Sequence, residues 1–508
     1  MYLFNHLTVK TLLKDISVEH WFLAAILLLT FLMRFPSLFE PFWYGDEGIF
    51  AAVARNLNFG GVLYQTAWDN KPPMVYLTYA AIFKFLGVSM FSLRLVTIVV
   101  VLATTTVVYE IAHSIYSARR ALIAAFIFGF LSSLRIVEGN LALTEIYMIL
   151  PITLAMLMVI KRKFDSVSLF GAGMLLAIAS LYKQVGAFEA VAVGIFLFLS
   201  AKKLGDFIKK GSMLTLGLAI PFAITIVYFA AKNLAGEYIF AAYTYYRIYL
   251  GESPKFSLLV NILKFMPIVA AIVYGLYKSS WRFDFKTHPF GVSHLILLWM
   301  AFSFLGSYFS GRTYGHYMIQ AIPAVSLLAA SINLKAKFKR AQILFAILFF
   351  VPLVFLTKLL FTDFLSGGPV NQVKYWRNFV EFAAGAKGVN AYNDFFDRNV
   401  NSIMALSDFF NTVDKKDRTA YIWGDFPWLY AIADLANPVR YVTSFHVFGT
   451  PNGKGEVVNS LINNPPTYII KPERSIGYFV ELESILISGY TLVAKIENSE
   501  VFVKSNAQ

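Results

Sequence analysis

WYGDEGIFAAVARNL, residues 43–57, places two adjacent carboxylates, Asp46 and Glu47, directly after the first apolar run of a very hydrophobic chain. A charged side chain is costly in lipid and is tolerated at little cost in water. The residues from Glu47 onward have a helical pattern, and an Asp at its start acts as an N-cap whose charge the helix dipole stabilises. The stretch is therefore the polar end of a membrane helix, the reactive end of an enzyme, or both.

The composition is that of a membrane protein. The chain has 508 residues, of which 58% are hydrophobic and 15% are charged, and its mean hydropathy is +0.61. Soluble domains contain roughly 25% charged residues, so the sequence predicts a polytopic α-helical membrane protein. The absence of cysteine excludes disulfides, thiolate chemistry and Cys-ligated metals. The first apolar run, 21–39, follows a leader with Lys10 and Lys14 and has the pattern of an uncleaved signal anchor.

Eleven apolar runs are long enough, or nearly long enough, to cross a bilayer, which takes about 17–25 residues. They lie at 21–39, 91–113, 121–137, 145–160, 167–181, 185–200, 212–231, 257–277, 290–309, 316–332 and 341–361. The run PPMVYLTYAAIFKFLG, 72–87, has a shorter apolar part with Lys84 inside it, and we expect it to form an interfacial helix. The predicted fold class is a membrane protein with about 11 transmembrane helices.

The distribution of basic residues predicts the orientation. With 72–87 interfacial, 18 Lys and Arg residues fall on the side of the N-terminus and 8 on the other side before the C-terminal region. The positive-inside rule then predicts a multi-pass plasma (inner) membrane protein with a cytoplasmic N-terminus and an external C-terminus. The basic residues behind the net charge of +14 lie in these loops, where they set the orientation and contact lipid phosphate. We therefore expect no nucleic-acid partner.

The composition changes near Thr362. Residues 1–361 are predicted to be a multi-spanning membrane domain whose first external loop covers 40–90. Residues 362–508 mix helical stretches with the strand-like runs AYIWGD, VRYVTS, TYIIK and YTLVAKI, which predict a small external soluble α/β domain.

The predicted topology places the first candidate residues on the external face. Asp46 is a fixed carboxylate that can remove a proton from an acceptor hydroxyl. Glu47 binds a metal or the acceptor, or only occupies the first turn of the helix. Lys71 precedes two prolines that fix the backbone, and it either grips one phosphate or reaches lipid headgroups without specificity.

The later candidates are mostly basic or aromatic. Glu145 begins a span, where an acid is also explained by the helix dipole. A cation, Lys183, lies between two apolar runs, and Arg312 with His316 forms a candidate clamp for an anion, although a single His at a helix start is often structural. A further loop carries aromatic and basic residues that bind sugars or line the membrane interface: Tyr243, Tyr246 and Arg247. The external candidates thus comprise a carboxylate near the start of the chain and several cations farther along it. This combination can activate a nucleophile and stabilise a departing phosphate.

Five stretches carry a resemblance to a known family. They are GDEGIFAAVARNL, KPPMVYLTYAAIFKFLG, LTEIY, LYKQVGAF and RTYGHYMIQAIPA. In these stretches the chain resembles the polyprenyl-phosphate-dependent glycosyltransferases of the GT-C fold, in particular the bacterial relatives of protein O-mannosyltransferases and of lipid A aminoarabinose transferases. The likeness extends over residues 20 to about 335 and implies a GT-C-like fold.

The resemblance also implies roles for individual residues. Asp46 matches the catalytic aspartate of the first loop, the expected general base, and Glu47 matches its acidic neighbour. Lys71 matches the lysine that holds the lipid-linked phosphate, and Asn70 stands where some relatives carry an acid, which puts a bound metal in doubt. The remaining matches are a second acidic site and the late basic cluster: Glu145, and Arg312 with His316. A divalent metal, if one binds, would be held by Asp46, Glu47 and Glu145.

The implied activity is an inverting transfer of a sugar from a polyprenyl-phosphate donor to an external acceptor, which is a protein, a lipid or a cell-envelope glycan. In this reaction Lys71, Arg312, His316 and Lys183 would bind the donor phosphate. The alternative is a polytopic lipid or glycolipid transporter or flippase. Transport sites usually require ionisable residues at mid-membrane and repeated halves, neither of which is evident in this sequence. A third option, a membrane anchor for the external domain, leaves the first-loop residues unexplained.

Overall fold

A computed structural model describes residues 17–251, 258–279, 290–332, 339–365, 371–473, 477 and 479–505. The leader with Lys10 and Lys14 lies outside the described residues. The protein is mostly helical, with a small sheet near its C-terminus, which confirms the predicted fold class.

Fifteen helices cover the described residues up to 365. In chain order they are α1 Val18–Arg34, α2 Gly45–Asn58, α3 Met74–Leu86, α4 Met90–Ile115, α5 Ala118–Leu131, α6 Thr144–Lys161, α7 Ser166–Tyr182, α8 Ala187–Ser200, α9 Leu204–Ala231, α10 Ala235–Ile239, α11 Tyr246–Gly251, α12 Leu258–Ser279, α13 Phe290–Phe309, α14 Ile322–Ser331 and α15 Arg340–Leu365. Short 3₁₀ turns lie at Phe35–Phe39, Arg135–Val137, Gln184–Gly186 and Gly315–Gln320, and a π turn lies at Phe240–Thr244.

Among the described residues, seven helices are long and apolar enough to cross a membrane: α1 continued by its 3₁₀ turn, α4, α6, α9, α12, α13 and α15. The other four predicted spans fall on shorter helices, α5, α7, α8 and α14. The total of eleven spans therefore stays a prediction. The run 72–87 forms α3, which has 13 residues, and its position at the membrane surface also stays a prediction.

Small residues let the shorter apolar helix α7 and the candidate span α9 touch through their backbones. A Cβ on Gly173 of α7 would lie 2.3 Å from the carbonyl oxygen of Leu214 in α9, and a Cβ on Gly217 of α9 would lie 2.0 Å from the carbonyl oxygen of Phe170. Close backbone approach at glycines is a usual way for membrane helices to pack. It holds α7 firmly, and the loop that follows α7 carries Lys183.

The described residues of the C-terminal region form seven helices and four strands. The helices are α16 Gln372–Ala383, α17 Val389–Asp394, α18 Val400–Asn411, α19 Pro427–Ile432, α20 Ser444–Gly449, α21 Gly453–Asn463 and α22 Val480–Gly489, and the strands are β1 Ala420–Ile422, β2 Tyr468–Pro472, β3 Tyr490–Ile496 and β4 Ser499–Lys504. The strand order is β1-β2-β4-β3, with β1 parallel to β2 and the other pairs antiparallel. The prediction of a strand at VRYVTS is wrong, because only Tyr441 forms an isolated bridge, and its partner is Trp68 of the first loop.

The C-terminal region shares a hydrophobic core with the first loop. Trp428 of α19 packs over Gly48 of α2, and its indole Nε1 donates a hydrogen bond to the carbonyl oxygen of Tyr44 at 2.9 Å. Farther along α2, Arg55 forms an ion pair with Asp434 at 2.9 Å. These contacts bring the end of β1 and the start of α20 against the N-terminal end of α2.

Candidate active site

A cavity of about 340 Å³ lies where the N-terminal end of α2 meets the loops of the membrane part and the C-terminal region. Six of the predicted site residues that are charged line it, together with one predicted tyrosine: Asp46, Lys71, Glu145, Lys183, Arg312, His316 and Tyr246. The structure thus brings together side chains that are up to 270 positions apart in the sequence.

The helix that carries Asp46 begins earlier than the sequence pattern indicates. Tyr44 is the N-cap, its side chain makes no capping bond, and Asp46 lies in the first turn. The prediction that Asp46 caps the helix is therefore wrong. Within the first turn its carboxylate remains near the positive end of the helix dipole, and its side chain is 42% exposed toward the cavity.

Lys71 lies between two carboxylates. Its Nζ is 3.7 Å from Oδ2 of Asp46 and 3.5 Å from Oδ2 of Asp69. The backbone of Lys71 is held from both sides, because its carbonyl oxygen accepts a hydrogen bond from the Tyr64 hydroxyl and its N–H donates to the Tyr76 hydroxyl. The ammonium group is therefore delivered to the cavity by a fixed segment of the first loop.

Asp69 is fully buried behind Lys71. The Tyr76 hydroxyl donates to its Oδ2 at 2.7 Å, and Nε2 of His446, in α20, lies 3.2 Å from its Oδ1. Burial acts to raise the pKa of Asp69, but Lys71, His446 and the hydrogen bonds outweigh burial and hold this pKa below its usual value.

Burial in this arrangement favours the neutral form of His446. Burial lowers its pKa, and the nearby Asp69 only partly opposes that effect. Because Asp69 is ionised, Nε2 of His446 must carry the proton and donate it, which leaves Nδ1 to accept from the Thr443 hydroxyl at 3.3 Å. A residue of the C-terminal region thus contacts the carboxylate that pairs with Lys71.

A second group of charges lines the cavity through Lys183, Glu145 and His316. Lys183 forms a hydrogen-bonded ion pair with Glu145, and Nδ1 of His316 is hydrogen-bonded to Glu138. Nε2 of His316 lies 3.9 Å from Oε1 of Glu145, so the two pairs are adjacent. Burial lowers the pKa of Lys183, and Glu145 opposes this effect. The Lys183 ammonium also lies 3.8 Å from the centre of the Tyr317 ring.

Glu47 does not line the cavity. Its side chain is fully buried and forms an ion pair with Arg94, which also contacts Glu40 at 2.9 Å. The N–H of Ala142 donates to the same carboxylate at 2.5 Å. Burial raises the pKa of Glu47 despite these partners. The structure therefore corrects the placement of Glu47 beside Asp46 in the catalytic site, and gives it contacts that join α2 to α4.

Of the predicted aromatic and basic loop residues, only Tyr246 lines the cavity. The Tyr243 hydroxyl is hydrogen-bonded to the Tyr238 hydroxyl at 3.0 Å, within the first-loop core. The side chain of Arg247 is exposed. Tyr243 and Arg247 are therefore not brought to the site, in contrast to the prediction.

Comparison with known proteins gives the fold. The sequence profile of the dolichyl-phosphate-mannose-protein mannosyltransferase family matches residues 70–229. The structure is similar to ArnT from Cupriavidus metallidurans bound to undecaprenyl phosphate, with a TM-score of 0.58 and 15% identity over 96% of this chain and 98% of that chain. The chain has the GT-C fold. Against ArnT in the apo state the TM-score is 0.57 and the identity is 13%, again over 96% of this chain and 98% of that chain.

The resemblance to the GT-C glycosyltransferases that use polyprenyl-phosphate sugars is thereby confirmed. A weaker match is the oligosaccharyltransferase of Archaeoglobus fulgidus, with a TM-score of 0.46 and 12% identity over 96% of this chain and 74% of that chain. None of the curated proteins matches the sequence.

The carboxylates proposed as metal ligands do not converge in this GT-C chain. Asp46 faces Lys71, Glu47 faces Arg94, and Glu145 faces Lys183. Within the part of the chain that the structure describes, no group of three His, Asp or Glu side chains is placed to hold a metal ion. The three predicted ligands therefore do not form a single metal site in this arrangement.

The cavity residues of the C-terminal region were not predicted from the sequence. Asp425, Thr443, Phe445 and His446 line the GT-C cavity, as does Gln184 of the membrane part. One signal was available for Asp425. It follows the strand AYI by three positions, and ligand-binding residues often lie just beyond the carboxyl ends of strands. The sequence contains no comparable signal for His446.

Proposed function

We propose that this protein is a membrane glycosyltransferase that moves a sugar from a polyprenyl-phosphate donor to an external acceptor with inversion at the anomeric carbon. The observation that carries the proposal is the convergence of Asp46 with Lys71, Lys183, Arg312 and His316 on one cavity. The fold shared with ArnT, whose structure contains undecaprenyl phosphate, supports a lipid-linked donor. The match to the mannosyltransferase family profile supports transfer of a sugar.

Asp46 is the general base of the proposed reaction. The acceptor oxygen bonds to the anomeric carbon while the bond from that carbon to the phosphate oxygen breaks. The acceptor proton passes to Asp46, and the bonding electrons leave with the polyprenyl phosphate. This single displacement inverts the configuration of the sugar. A positioned general base contributes about 10²- to 10⁴-fold to the rate.

The cations bind the donor phosphate and stabilise its growing charge. Lys71 lies within 3.7 Å of Asp46. The phosphodiester of the donor carries one negative charge and gains a second as the sugar leaves, so it competes with that carboxylate for the ammonium group. Binding of the donor would therefore draw Lys71 toward the phosphate and leave Asp46 available to accept a proton. Lys183 and Arg312 line the same cavity and would add positive charge around the phosphate.

The proposed setting is the external face of the plasma (inner) membrane, with the N-terminus in the cytoplasm. It rests on the asymmetry of basic residues between the loops. The acceptor is a protein, a lipid or a cell-envelope glycan, and the sugar is a hexose or a pentose.

Labelled polyprenyl-phosphate sugars test the proposal directly. Membranes that contain the protein are supplied with donors carrying different hexoses and pentoses, and the label in proteins, lipids and glycans is measured. Asp46→Asn should lower transfer by about 10²- to 10⁴-fold. It should not weaken binding of undecaprenyl phosphate, because the neutral amide no longer competes for Lys71. Asp408→Asn, at an exposed position in α18, is the matched control and should transfer normally. Normal transfer by Asp46→Asn would show that another group is the base.

A lipid-movement assay in reconstituted vesicles distinguishes the transporter alternative from the glycosyltransferase. A flippase would move a fluorescent polyprenyl-phosphate lipid between leaflets of reconstituted vesicles, whether or not a sugar is transferred. If lipid movement requires the protein and no label reaches any acceptor, the glycosyltransferase proposal is wrong.

A further inference from the structure

The carboxylates of the cavity are not equivalent. Asp46 lies beside Lys71, and Glu145 lies beside Lys183. The third carboxylate that lines the cavity is Asp425, and within the described part of the chain no basic side chain forms an ion pair with it. A carboxylate at a cavity wall without a cation favours ligands that donate hydrogen bonds.

The position of Asp425 is fixed by the backbone around it. The residue follows β1 through Gly424, where a Cβ would lie 2.8 Å from Cγ of Pro472. The N–H of Phe445 donates to Oδ1 of Asp425 at 3.2 Å. Burial raises the pKa of Asp425, and backbone N–H groups of Phe445 and Ser444 oppose that effect. The carboxylate is thus preorganised by backbone groups, with no ion pair to a basic side chain among the described residues.

An aromatic ring lies next to this carboxylate. Phe445, whose N–H binds Asp425, also lines the cavity, and its side chain is 37% exposed, although it is a large apolar group. A sugar ring has an apolar face of C–H groups and a rim of hydroxyl donors. An exposed aromatic face beside a carboxylate matches both features at once.

The Asp425 wall lies on the side of the proposed base. Residues 427 and 428 pack on Gly48, and the Trp428 indole is hydrogen-bonded to Tyr44, so the segment after β1 is attached to the start of α2. Lys183 and Arg312 come from the ends of membrane helices instead. A donor whose phosphate lies among these cations would therefore present its sugar to Asp46 and Asp425.

We propose that Asp425 and the ring of Phe445 recognise the sugar of the lipid-linked donor, the carboxylate by accepting hydrogen bonds from sugar hydroxyl groups and the ring by covering the apolar face. This inference rests on the proposed function. It makes the C-terminal region the part of the molecule that selects among donor sugars, while the membrane part binds the phosphate common to all of them.

Monodeoxy versions of the transferred sugar, linked to polyprenyl phosphate, provide the test. The wild-type protein should lose about 10- to 100-fold in kcat/KM for the analogue that lacks a hydroxyl bound by Asp425, as expected for a hydrogen bond to a charged group. Asp425→Asn should lower kcat/KM for the parent donor by a similar factor and lose the discrimination against that analogue. Phe445→Ala should lower kcat/KM by the same factor for the parent donor and for every deoxy donor. Asp408→Asn is again the control.

Each outcome supports or overturns the assignment of Asp425 to the donor sugar. Equal use of every monodeoxy donor by the wild-type protein overturns the inference without any variant, even if Asp425→Asn fails to fold. A variant that keeps the wild-type ratio between parent and deoxy donors, or that changes only the KM of the acceptor, also overturns it. If Asp46→Asn abolishes transfer while Asp425→Asn leaves the ratio intact, the proposed function stands and only the sugar assignment fails.

Discussion

At the scale of single residues, one step along a helix separates two roles. Successive side chains of an α-helix point about 100° apart, so Asp46 and Glu47 cannot face the same surroundings. Asp46 is 42% exposed and faces Lys71, whereas Glu47 is fully buried against Arg94. The neighbouring acid that the sequence pairs with the base therefore joins two helices and stays out of the cavity.

His446 makes a prediction about pH. Its pKa in the folded protein lies below the ordinary value of 6.5. The unfolded chain therefore takes up a proton at a higher pH than the folded protein does, and stability is lost as the pH falls below 6.5. The charged groups that act on His446 are Asp69, Lys71 and Asp46. Its contribution is complete above about pH 7 and decreases by at most about 1.4 kcal/mol per pH unit below that.

Thermal unfolding of the detergent-solubilised protein at pH 7.5 and pH 5.5 measures this contribution. His446→Gln retains a donor for Asp69 and does not titrate, so the variant should lose less stability between the two pH values than the wild type. Asp69 stays ionised throughout this range because its pKa is lowered below 3.8. An equal loss in both proteins would mean that folding does not lower the pKa of His446.

At the scale of elements, α2 and α19 determine whether the site is complete. Gly48 of α2 has no space for a side chain, since a Cβ would lie 2.9 Å from the backbone N of Trp428 and 2.9 Å from Cγ of Pro427. Asp425 lies two residues before that proline. The fit of α2 against α19 therefore fixes the distance between the proposed base and the proposed sugar-binding wall.

Gly48→Ala should separate these two helices. Overpacking of a filled interface costs about 1–3 kcal/mol, so the variant should unfold at lower temperature and transfer sugar more slowly. Gly45→Ala is a matched control in the first turn of α2, because a Cβ there meets nothing within 4 Å. The change at Gly48, inside the helix, also gains the higher helix propensity of alanine, roughly 1 kcal/mol, so a loss of stability relative to Gly45→Ala reflects the contact. Equal melting temperatures for the two variants would contradict the role given to the α2–α19 contact.

The elements also show what the sequence could and could not predict. The long helices were predicted from long apolar runs, because a membrane span needs a length and a hydrophobicity that can be read directly from the sequence. Lys71, Lys183 and Arg312 were found because a charge between apolar runs is conspicuous. Asp425 and His446 were missed, because they reach the cavity only through packing of α19 and α20 on the first loop, and no local pattern encodes that packing.

At the scale of the whole molecule, the site depends on membrane orientation. One cavity gathers residues from the first loop, from the ends of membrane helices and from the C-terminal region, so all three must lie on the same side of the bilayer. The distribution of basic residues predicts that this side is external. A polyprenyl-linked donor would then have to be present in the external leaflet before transfer.

The absence of cysteine allows the orientation to be measured in the natural background. Lys495→Cys, on the exposed strand β3, is predicted to be external, and Lys202→Cys, exposed between α8 and α9, is predicted to be cytoplasmic. A maleimide that cannot cross membranes should label the Lys495→Cys variant in sealed right-side-out vesicles, and the Lys202→Cys variant only after permeabilisation. The unsubstituted protein should remain unlabelled in both. Labelling of the Lys202→Cys variant in sealed vesicles would show that the orientation is the opposite of the predicted one. The cavity and the proposed transfer would then lie on the cytoplasmic face.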